Sequence, residues 1–572
     1  HEALVRWYLS RKAFDKAESL LRAKAASAID KIQPVGELVQ FLAQYRSPEA
    51  AIAELDHAIA AGQSTAVFRS ARAGFLFDRG DKKAAIAEMQ DILTSESGTD
   101  DARKIKVALA RMLFATGNTD EAHSLVEAVL AEDSGQMEAI RLKATWLVDG
   151  DQIADAITLL RSAIDQNPRD ATLMTLLAQA YERDGNRDLV REMLVRAVDA
   201  SGQAPAESLR YAQFLAANND LLPAESVLID ALRTTPGNPD LLGPLGQLYI
   251  QLNDWPRAEA VAAALETIAD PKLAPAITGL RAAILEGQQR KEDALSYLEQ
   301  MAAGKNSGLA DKLAVLRNHM ANGRMTEAQD YAKSLLAEDP ENPDIQIINA
   351  AILSASGNKA PAEQIFRKVV AKDPSRAIAW MNLYGILKAD PKRQDEANAL
   401  LDQALAAIPT SGELRWAKAG EQEARGEIDA AIANYEKLYA ENSANPIVAN
   451  NLASLLSNYR QDAYSLKRAE IIARRLRGSG IGPYQDTFGW IAWLNQHYDD
   501  ALTELEAAAK ALPDDPTVQY HLAMTYLKLG RAPEATAQFQ RALDLAPANE
   551  SRPYLAAAKA ELEKLKAAAP SP

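Results

Sequence analysis

A spacing of about 34 residues recurs along this 572-residue chain and restricts its fold more than any other feature. Prolines that end successive segments mark the period. Pro547 lies 34 residues after Pro513, and Pro236 lies 68 residues, or two periods, after Pro168. Self-similarity at this spacing is typical of stacked supersecondary units, each of which packs against its neighbours instead of entering one large core.

Each period has the pattern of two helices joined by a tight turn. In residues 516–547 the turn falls at Gly530, and Ala535, Phe539 and Ala542 follow at helical spacing on one face. The same small–large–small pattern recurs elsewhere, at Ala156, Leu160 and Ala163, at Ala224, Leu228 and Ala231, and at Ala397, Leu401 and Ala404. The turn position holds Gly80, Gly117, Gly185, Gly323, Gly357, Gly426 and Gly530, with asparagine at Asn219 and Asn253 and glutamine at Gln289.

The pattern predicts an all-α protein. Helices of about 14 residues are marginal in water by themselves, so each hairpin must bury its apolar face against the next one. Alanine at the recurring positions favours helix and allows two helices to approach to roughly 8–10 Å. Aromatic residues make up only 6% of the chain, which fits such small-residue packing.

These motifs resemble the tetratricopeptide repeat family. Leu245, Gly246 and Tyr249 occupy the family's positions in one repeat, and Trp380 stands at an early aromatic position of another. The resemblance implies a superhelical solenoid of about sixteen helix-turn-helix repeats with a C-terminal capping helix. It also implies that the first helix of each hairpin lines a concave binding face. The predicted domains are degenerate hairpins at 1–63, a central array at 65–409, a C-terminal array at 412–547, and a capping helix and tail at 548–572.

Composition argues against several functions. The net charge of −15 disfavours nucleic acid as a partner, because phosphates would be repelled over most of the surface. The chain has no cysteine, which excludes disulfides and thiolate metal sites. Its six histidines form no zinc-binding motif, and the glycine-rich segment 477–483 follows no strand pattern. We therefore expect no catalytic residues, no metal and no cofactor, and we do not expect an enzyme.

The ends of the sequence suggest that more chain precedes it. The sequence opens on His1 inside a helical pattern, without an initiator methionine. No run of 18 apolar residues is present, so no segment of this sequence is expected to span a membrane. We expect an upstream segment that could carry a signal peptide or a lipid anchor, and we expect membrane association only through such an anchor.

Two groups of residues are candidates for partner binding. Asn382 and Asn451 fall at the sixth position of their first helices, where a carboxamide can both donate to and accept from a peptide backbone. The alternative is that both are ordinary polar residues of a helix face. In the C-terminal array, Trp490 and Trp493 share a helix face. They would be extended on the next first helix by Tyr520, His521 and Met524. Exposed tryptophans are typical interface anchors, but packing between repeats is an equal alternative.

A cluster of cations interrupts the acidic sequence. The cluster comprises Lys467, Arg468, Arg474, Arg475 and Arg477, and its pairs 467/468 and 474/475 recur at a spacing of seven, which predicts one helix face. This basic patch is either a solvated face or a docking site for an acidic segment or anionic head groups.

The segments NNLASLL, DTFGWIAW and ALTELEAAAKALPDDPTVQYHLAMTYLKLG resemble the C-terminal repeats of Gram-negative cell-envelope proteins of the family. These include exopolysaccharide-export proteins and lipoprotein adaptors of periplasmic carboxyl-terminal-processing proteases. The resemblance implies a periplasmic, outer-membrane-associated scaffold or adaptor, with a cytoplasmic location as the alternative. Its partners would be proteins, such as a periplasmic protease or polysaccharide-export components. The alternative function is an assembly component of an exopolysaccharide synthesis, export or secretion machine.

Overall fold

The structure is a computed structural model that describes residues 2–28, 32–62, 65–95, 98–304, 307–460, 462–546 and 553–568. These residues form 33 α-helices and no strand. The helices are α1 Glu2–Ser10, α2 Phe14–Ser27, α3 Ile32–Tyr45, α4 Pro48–Ala60, α5 Thr65–Arg79, α6 Lys82–Ser95, α7 Asp100–Ala115, α8 Thr119–Glu132, α9 Met137–Asp149, α10 Ile153–Gln166, α11 Ala171–Arg183, α12 Arg187–Ala200, α13 Pro205–Ala217, α14 Leu221–Thr234, α15 Pro239–Gln251, α16 Trp255–Thr267, α17 Ala274–Gly287, α18 Lys291–Ala302, α19 Leu309–Ala321, α20 Met325–Glu338, α21 Pro343–Ala355, α22 Lys359–Lys372, α23 Ala377–Lys388, α24 Gln394–Ala407, α25 Gly412–Ala424, α26 Ile428–Glu441, α27 Pro446–Tyr459, α28 Ala463–Ala473, α29 Gly482–Leu494, α30 Tyr498–Ala511, α31 Pro516–Lys528, α32 Ala532–Leu545 and α33 Pro553–Ala568.

The helices pack in consecutive pairs, which confirms the predicted hairpin array. Except for α9, an odd-numbered helix packs against the even-numbered helix that follows, and most even-numbered helices pack against the next hairpin. The described part of the chain therefore contains fifteen packed hairpins between α1 and α32, with α9 and α10 lying in sequence between the fourth and the fifth. The last helix, α33, covers α31 and α32 and buries Ala558 and Leu562, as expected of a capping helix.

The turns within the hairpins require a left-handed backbone, and the sequence supplies it where predicted. All seven predicted turn glycines have positive φ, as do Asn219, Asn253 and Gln289. Gln289 has a φ of 62°, so this hairpin keeps the turn geometry without glycine. Asn and Gly reach this region at little steric cost, whereas glutamine adopts it because the packed helices on either side fix the turn.

The recurring small residues lie where two helices meet. Ala535, Phe539 and Ala542 of α32 are fully buried where this helix packs against its neighbours. The equivalent residues of the other predicted triplets are buried as well. Helices end two residues before the predicted stop prolines, as α30 ends before Pro513. Asp515 accepts hydrogen bonds from the backbone N–H of Thr517 and so caps α31. Pro547 lies outside the described residues.

The described residues divide into two compact units. The first comprises the residues up to Val148 together with Ala154–Pro168, and the second comprises Asp149–Ile153 and the residues from Arg169 onward. Within the second unit, residues up to 324 positions apart in sequence are in contact. C-terminal hairpins of this unit therefore contact the residues with which the unit begins.

Candidate functional site

Three consecutive first helices, α23, α25 and α27, present large apolar side chains to solvent. Ile378, Trp416 and Ile447 are 56%, 46% and 50% exposed. Each comes from a different hairpin, and the opposite faces of the same helices are fully buried in the cores between hairpins. Because a soluble protein usually hides apolar side chains that lie together, such a patch is typical of an interaction site.

A surface cavity of about 630 Å³ connects these helices. Met381 of α23, Trp416 of α25 and Ile447 of α27 supply apolar walls, and Leu438 and Val448 lie beneath them. We call this cavity, together with the exposed faces of α23, α25 and α27, the Trp416 groove. Its size and apolar lining suit a few side chains of an extended segment.

Helical spacing explains why the exposed residues face the same way. Ile378 and Met381 are three residues apart on α23, and Glu413 and Trp416 are three apart on α25, so each pair shares a helix face. Leu414 lies on the other side of α25 and is fully buried. The second and fifth residues of these helices therefore point into the groove, while the third points into the core.

The predicted asparagines lie on the same first helices, and both use their amide groups within the protein. Asn382 Nδ2 donates to the carbonyl of Ile378 at 2.8 Å. Asn451 Nδ2 donates to the hydroxyl of Tyr435 at 3.1 Å, and its carboxamide oxygen accepts from Asn450 at 3.3 Å. Asn450 Oδ1 is buried and has no hydrogen-bond partner among the described residues. A role of Asn382 and Asn451 in binding remains a prediction.

Two carboxylates of α25 face the groove without an ion pair among the described residues. Glu413 lines the cavity beside Trp416. Glu423 lies seven residues after Trp416, or two helical turns, on the same face. Desolvation by the surrounding protein raises the pKa of Glu423, although the residue reaches solvent. Burial also raises the pKa of Tyr435, and the negative charge of Glu423 contributes, so the two groups are neighbours.

The cations of α25 are committed to other groups. Arg415 pairs with Glu441 and also donates to a backbone carbonyl. Lys418 pairs with Asp402 at 2.7 Å, and Arg425 pairs with Asp395 and Glu427. The groove consequently offers apolar surface and hydrogen-bond acceptors, with negative charge that α25 does not itself neutralise.

The predicted tryptophan site of the C-terminal array is mostly packed between repeats. Trp490 is 8% exposed and stacks on Trp493, with ring centroids 4.7 Å apart, and on His521 at 4.2 Å. Trp493 is half-buried and donates its Nε1–H to the carbonyl of Met524 at 3.2 Å. Tyr520 is buried against Tyr554 of α33. The structure thus favours the alternative of packing over that of an exposed anchor.

His521 also has a fixed partner in this cluster. Its Nδ1 lies 2.9 Å from Asp486 Oδ1, and both side chains are shielded from solvent. The pair connects α29 to α31, the first helices of two successive hairpins. A structural role in holding these hairpins together accounts for both residues.

The cations of the predicted basic patch are neutralised by carboxylates of the protein. This disfavours the alternative that the patch is a docking site for an acidic segment or anionic head groups. All five cations form ion pairs with carboxylates: Lys467 with Glu470, Arg468 with Glu436, Arg474 with Asp184 and Glu470, Arg475 with Asp151, and Arg477 with Asp500. The predicted shared helix face is also interrupted, because α28 ends at Ala473 and a 3-10 turn follows over Arg474–Leu476. An acidic partner would find no uncompensated cation cluster here.

Sequence reasoning missed Trp416, Ile378 and Ile447. Their positions in the first helix, the second and the fifth, are the ones at which family resemblance places groove residues. The signal was therefore present in the spacing, but the paired tryptophans of α29 were more conspicuous. The described residues contain no group of three or more His, Cys, Asp or Glu side chains arranged to hold a metal ion. None of the helices described is long and apolar enough to cross a membrane.

Stacked hairpins with left-handed turns define the chain as a helical-repeat solenoid. Tetratricopeptide repeat family models match residues 141–205, 319–385 and 487–550, and each match falls on the hairpins seen in the structure. These segments of the chain are therefore tetratricopeptide repeats.

Several solved structures are similar to all or part of the chain. The APC/C hetero-tetramer Cut9–Hcn1 has 16% identity and a TM-score of 0.36, covering 88% of this chain and 96% of that chain. Yeast Tom70 has 16% identity and a TM-score of 0.31, covering 75% and 95%. YrrB, a TPR protein with an unusual peptide-binding site, has 18% identity and a TM-score of 0.27, covering 34% and 97%. No curated protein matches the chain.

Proposed function

We propose that this protein is a non-catalytic scaffold of the bacterial envelope that captures a partner protein in the Trp416 groove. One observation carries the proposal: an indole that is 46% exposed lies between exposed isoleucines on three consecutive first helices. Burying these side chains against a partner would contribute roughly 25 cal/mol for each Å² of apolar surface removed from water. Large aromatic anchors at the centre of a patch commonly supply most of the binding energy.

The envelope location is supported by the resemblance of the C-terminal repeats to cell-envelope adaptors. On this proposal the partner is a periplasmic protein, such as a processing protease. Separation of inner-membrane, outer-membrane and soluble fractions of the source cells tests the location. Recovery of the protein with cytoplasmic markers would contradict it.

The same resemblance favours a second function, as a periplasmic assembly component of an exopolysaccharide export or secretion machine. The two functions differ in the identity of the captured partner. A protease bound at the groove favours the adaptor, and a synthesis or export component favours the assembly role.

Comparison of two tryptophan variants in affinity capture tests the binding proposal. Trp416→Ala should lose the proteins that the unmodified chain captures from an envelope extract. Trp7→Ala is the matched control, because Trp7 is 49% exposed but belongs to α1, far from the groove in sequence. Circular dichroism should show unchanged helicity in both variants. If Trp416→Ala retains every partner, the groove is not the binding site.

A further inference from the structure

The chemistry of the Trp416 groove restricts what it can bind. Two carboxylates on the exposed face of α25, those of Glu413 and Glu423, form no ion pair among the described residues, and Glu413 lines the cavity. A carboxylate without an ion pair favours a bound cation, and most of all where it is partly desolvated, as Glu423 is, because the positive charge compensates for the solvation that it has lost.

Trp416 lies between the two carboxylates on one face of α25. Glu413 is one turn before it and Glu423 two turns after it. A cation bound at Glu413, one turn from Trp416, can also contact the indole ring. The ring face attracts a positive charge by its quadrupole, and tryptophan does so best among the aromatic residues.

Aliphatic surface flanks the acidic stripe on both neighbouring hairpins. Ile378 and Met381 lie on α23, and Ile447 lies on α27. A ligand that fits the whole groove therefore carries apolar side chains on either side of a cationic one. An acidic segment would instead meet the charges of Glu413 and Glu423 and would be repelled.

We propose that the Trp416 groove binds an extended segment of its protein partner that places a lysine or arginine side chain against Trp416, between aliphatic neighbours that contact Ile378 and Ile447. This inference rests on the proposed function, since it specifies the partner at the same groove. Arginine suits the site because its planar guanidinium can stack on an indole while it donates to a carboxylate.

An array of random twelve-residue synthetic peptides, probed with the full chain, tests this specificity. Peptides that combine a lysine or arginine with aliphatic neighbours should be enriched, and Trp416→Ala should abolish the enrichment. The double variant Glu413→Gln, Glu423→Gln should weaken the preference for the cation while it keeps binding of apolar peptides. Glu327→Gln in α20, an exposed carboxylate on a second helix, is the matched control and should change nothing.

The strongest peptide is then measured by fluorescence anisotropy. We expect the double variant to bind it roughly twofold to fivefold more weakly, which is the range of a surface ion pair, because the contact with the Trp416 ring is retained. The difference should shrink in 1 M salt. Replacing the cation of the peptide by glutamine should give a larger loss, because it also removes the contact with the Trp416 ring, and the two losses should not add.

Each other outcome decides between the two proposals. Enrichment of acidic or purely apolar peptides that still depends on Trp416 contradicts the cation specificity but keeps the groove as the binding site. Cationic peptides that bind equally to Trp416→Ala report only the net charge of −15 and also contradict the specificity. If no peptide depends on Trp416, the proposed function at this groove fails as well.

Discussion

The guanidinium of Arg475 and the carboxylate of Asp151 form a buried ion pair, although 324 residues separate them in sequence. Their atoms are 2.9 Å apart, and the two side chains are only 7% and 6% exposed. The hydroxyl of Tyr439 donates to the same carboxylate at 2.9 Å, and burial raises the pKa of this tyrosine. This contact joins the start of the second unit to its C-terminal hairpins.

Further contacts lie beside the pair. Arg183, at the end of α11, donates to the backbone carbonyl and, at 2.9 Å, to the hydroxyl of Ser443, 260 residues away. The guanidinium of Arg474 donates a hydrogen bond to the carboxylate of Asp184 at 3.3 Å. These contacts connect residues 151–184 to residues 443–475, the two ends of the run of hairpins between them. A change in how those hairpins stack must therefore also be accommodated at these contacts. We call these residues the closing contact.

Asp151→Asn tests the energetic role of the closing contact. Loss of the carboxylate leaves Arg475 buried without a counter-charge, which typically costs about 3–5 kcal/mol. Chemical denaturation of the full chain should show this decrease in the free energy of unfolding. Asp429→Asn is the matched control, because Asp429 and Arg460 pair at the surface, where such a pair is worth about 0–1 kcal/mol. Equal effects of the two substitutions would contradict a stabilising role of the closing contact.

Gly185→Ala tests how closely the backbones approach at the same place. Gly185 has a φ of +74°, and a Cβ there would lie 2.2 Å from the carbonyl oxygen of Arg474. Alanine must therefore both adopt a left-handed backbone, at about 1–2 kcal/mol, and push the two segments apart. Gly357→Ala has the same backbone requirement, with a φ of +85°, but open space around it.

The two glycine variants should differ in hydrogen exchange as well as in stability. We expect faster exchange around residues 183–185 and 474–477 in Gly185→Ala alone, since only this substitution separates the closing contact. If Gly357→Ala lowers the melting temperature as much and leaves the same exchange pattern, the contact is not tightly packed.

The low pKa of Glu363 predicts that the central hairpins lose stability in acid. Arg393 donates two hydrogen bonds to its carboxylate, each at 2.7 Å, and together with Arg367 lowers the pKa of Glu363 from 4.5 to about 2. Because the folded pKa is depressed, the stabilisation is fully present above pH 4.5 and is lost as the pH falls towards 2. The shift corresponds to at most about 3 kcal/mol.

Unfolding of the wild type and of Glu363→Gln over a pH series measures this contribution. The variant should be less stable at pH 6, and the gap should close between pH 4.5 and 2. A gap that is independent of pH would show that the charge of Glu363 contributes nothing.

Much of the fold could be predicted from the sequence because it is local. The turn at Gly530 and the packing of Ala535 and Phe539 depend on residues within one or two repeats, so the 34-residue spacing contains them. The pairing of Arg475 with Asp151 depends on the cumulative geometry of many hairpins, and no local pattern encodes it. This is why Arg475 was predicted to lie in a basic patch and is instead buried.

The binding site was harder to predict for a related reason. The spacing of Trp490 and Trp493 gives a shared helix face, but His521 of the next hairpin decides that the face is covered. Trp416 has no such stacking partner among the residues that the structure describes and remains exposed. Whether a side chain is exposed depends on the neighbouring repeat. The pattern of a single helix does not show what that repeat covers.

Trp490→Ala should therefore act on stability. Removing a buried indole that stacks on Trp493 and His521 should cost about 3–5 kcal/mol in the C-terminal hairpins. Trp416→Ala, which truncates an exposed side chain, should change the free energy of unfolding by less than about 1 kcal/mol. The opposite ranking in thermal unfolding would mean that the two tryptophans have been assigned the wrong roles.

Crosslinking mass spectrometry of the native protein with its bound partner tests the central claim most directly, because it locates the contacted hairpins without any substitution. The account predicts that crosslinks to the partner concentrate on α23, α25 and α27 around Trp416, and that the linked partner segment carries a lysine or arginine next to aliphatic residues. Crosslinks that concentrate on other hairpins, such as α29 and α31 around Trp490, would contradict it.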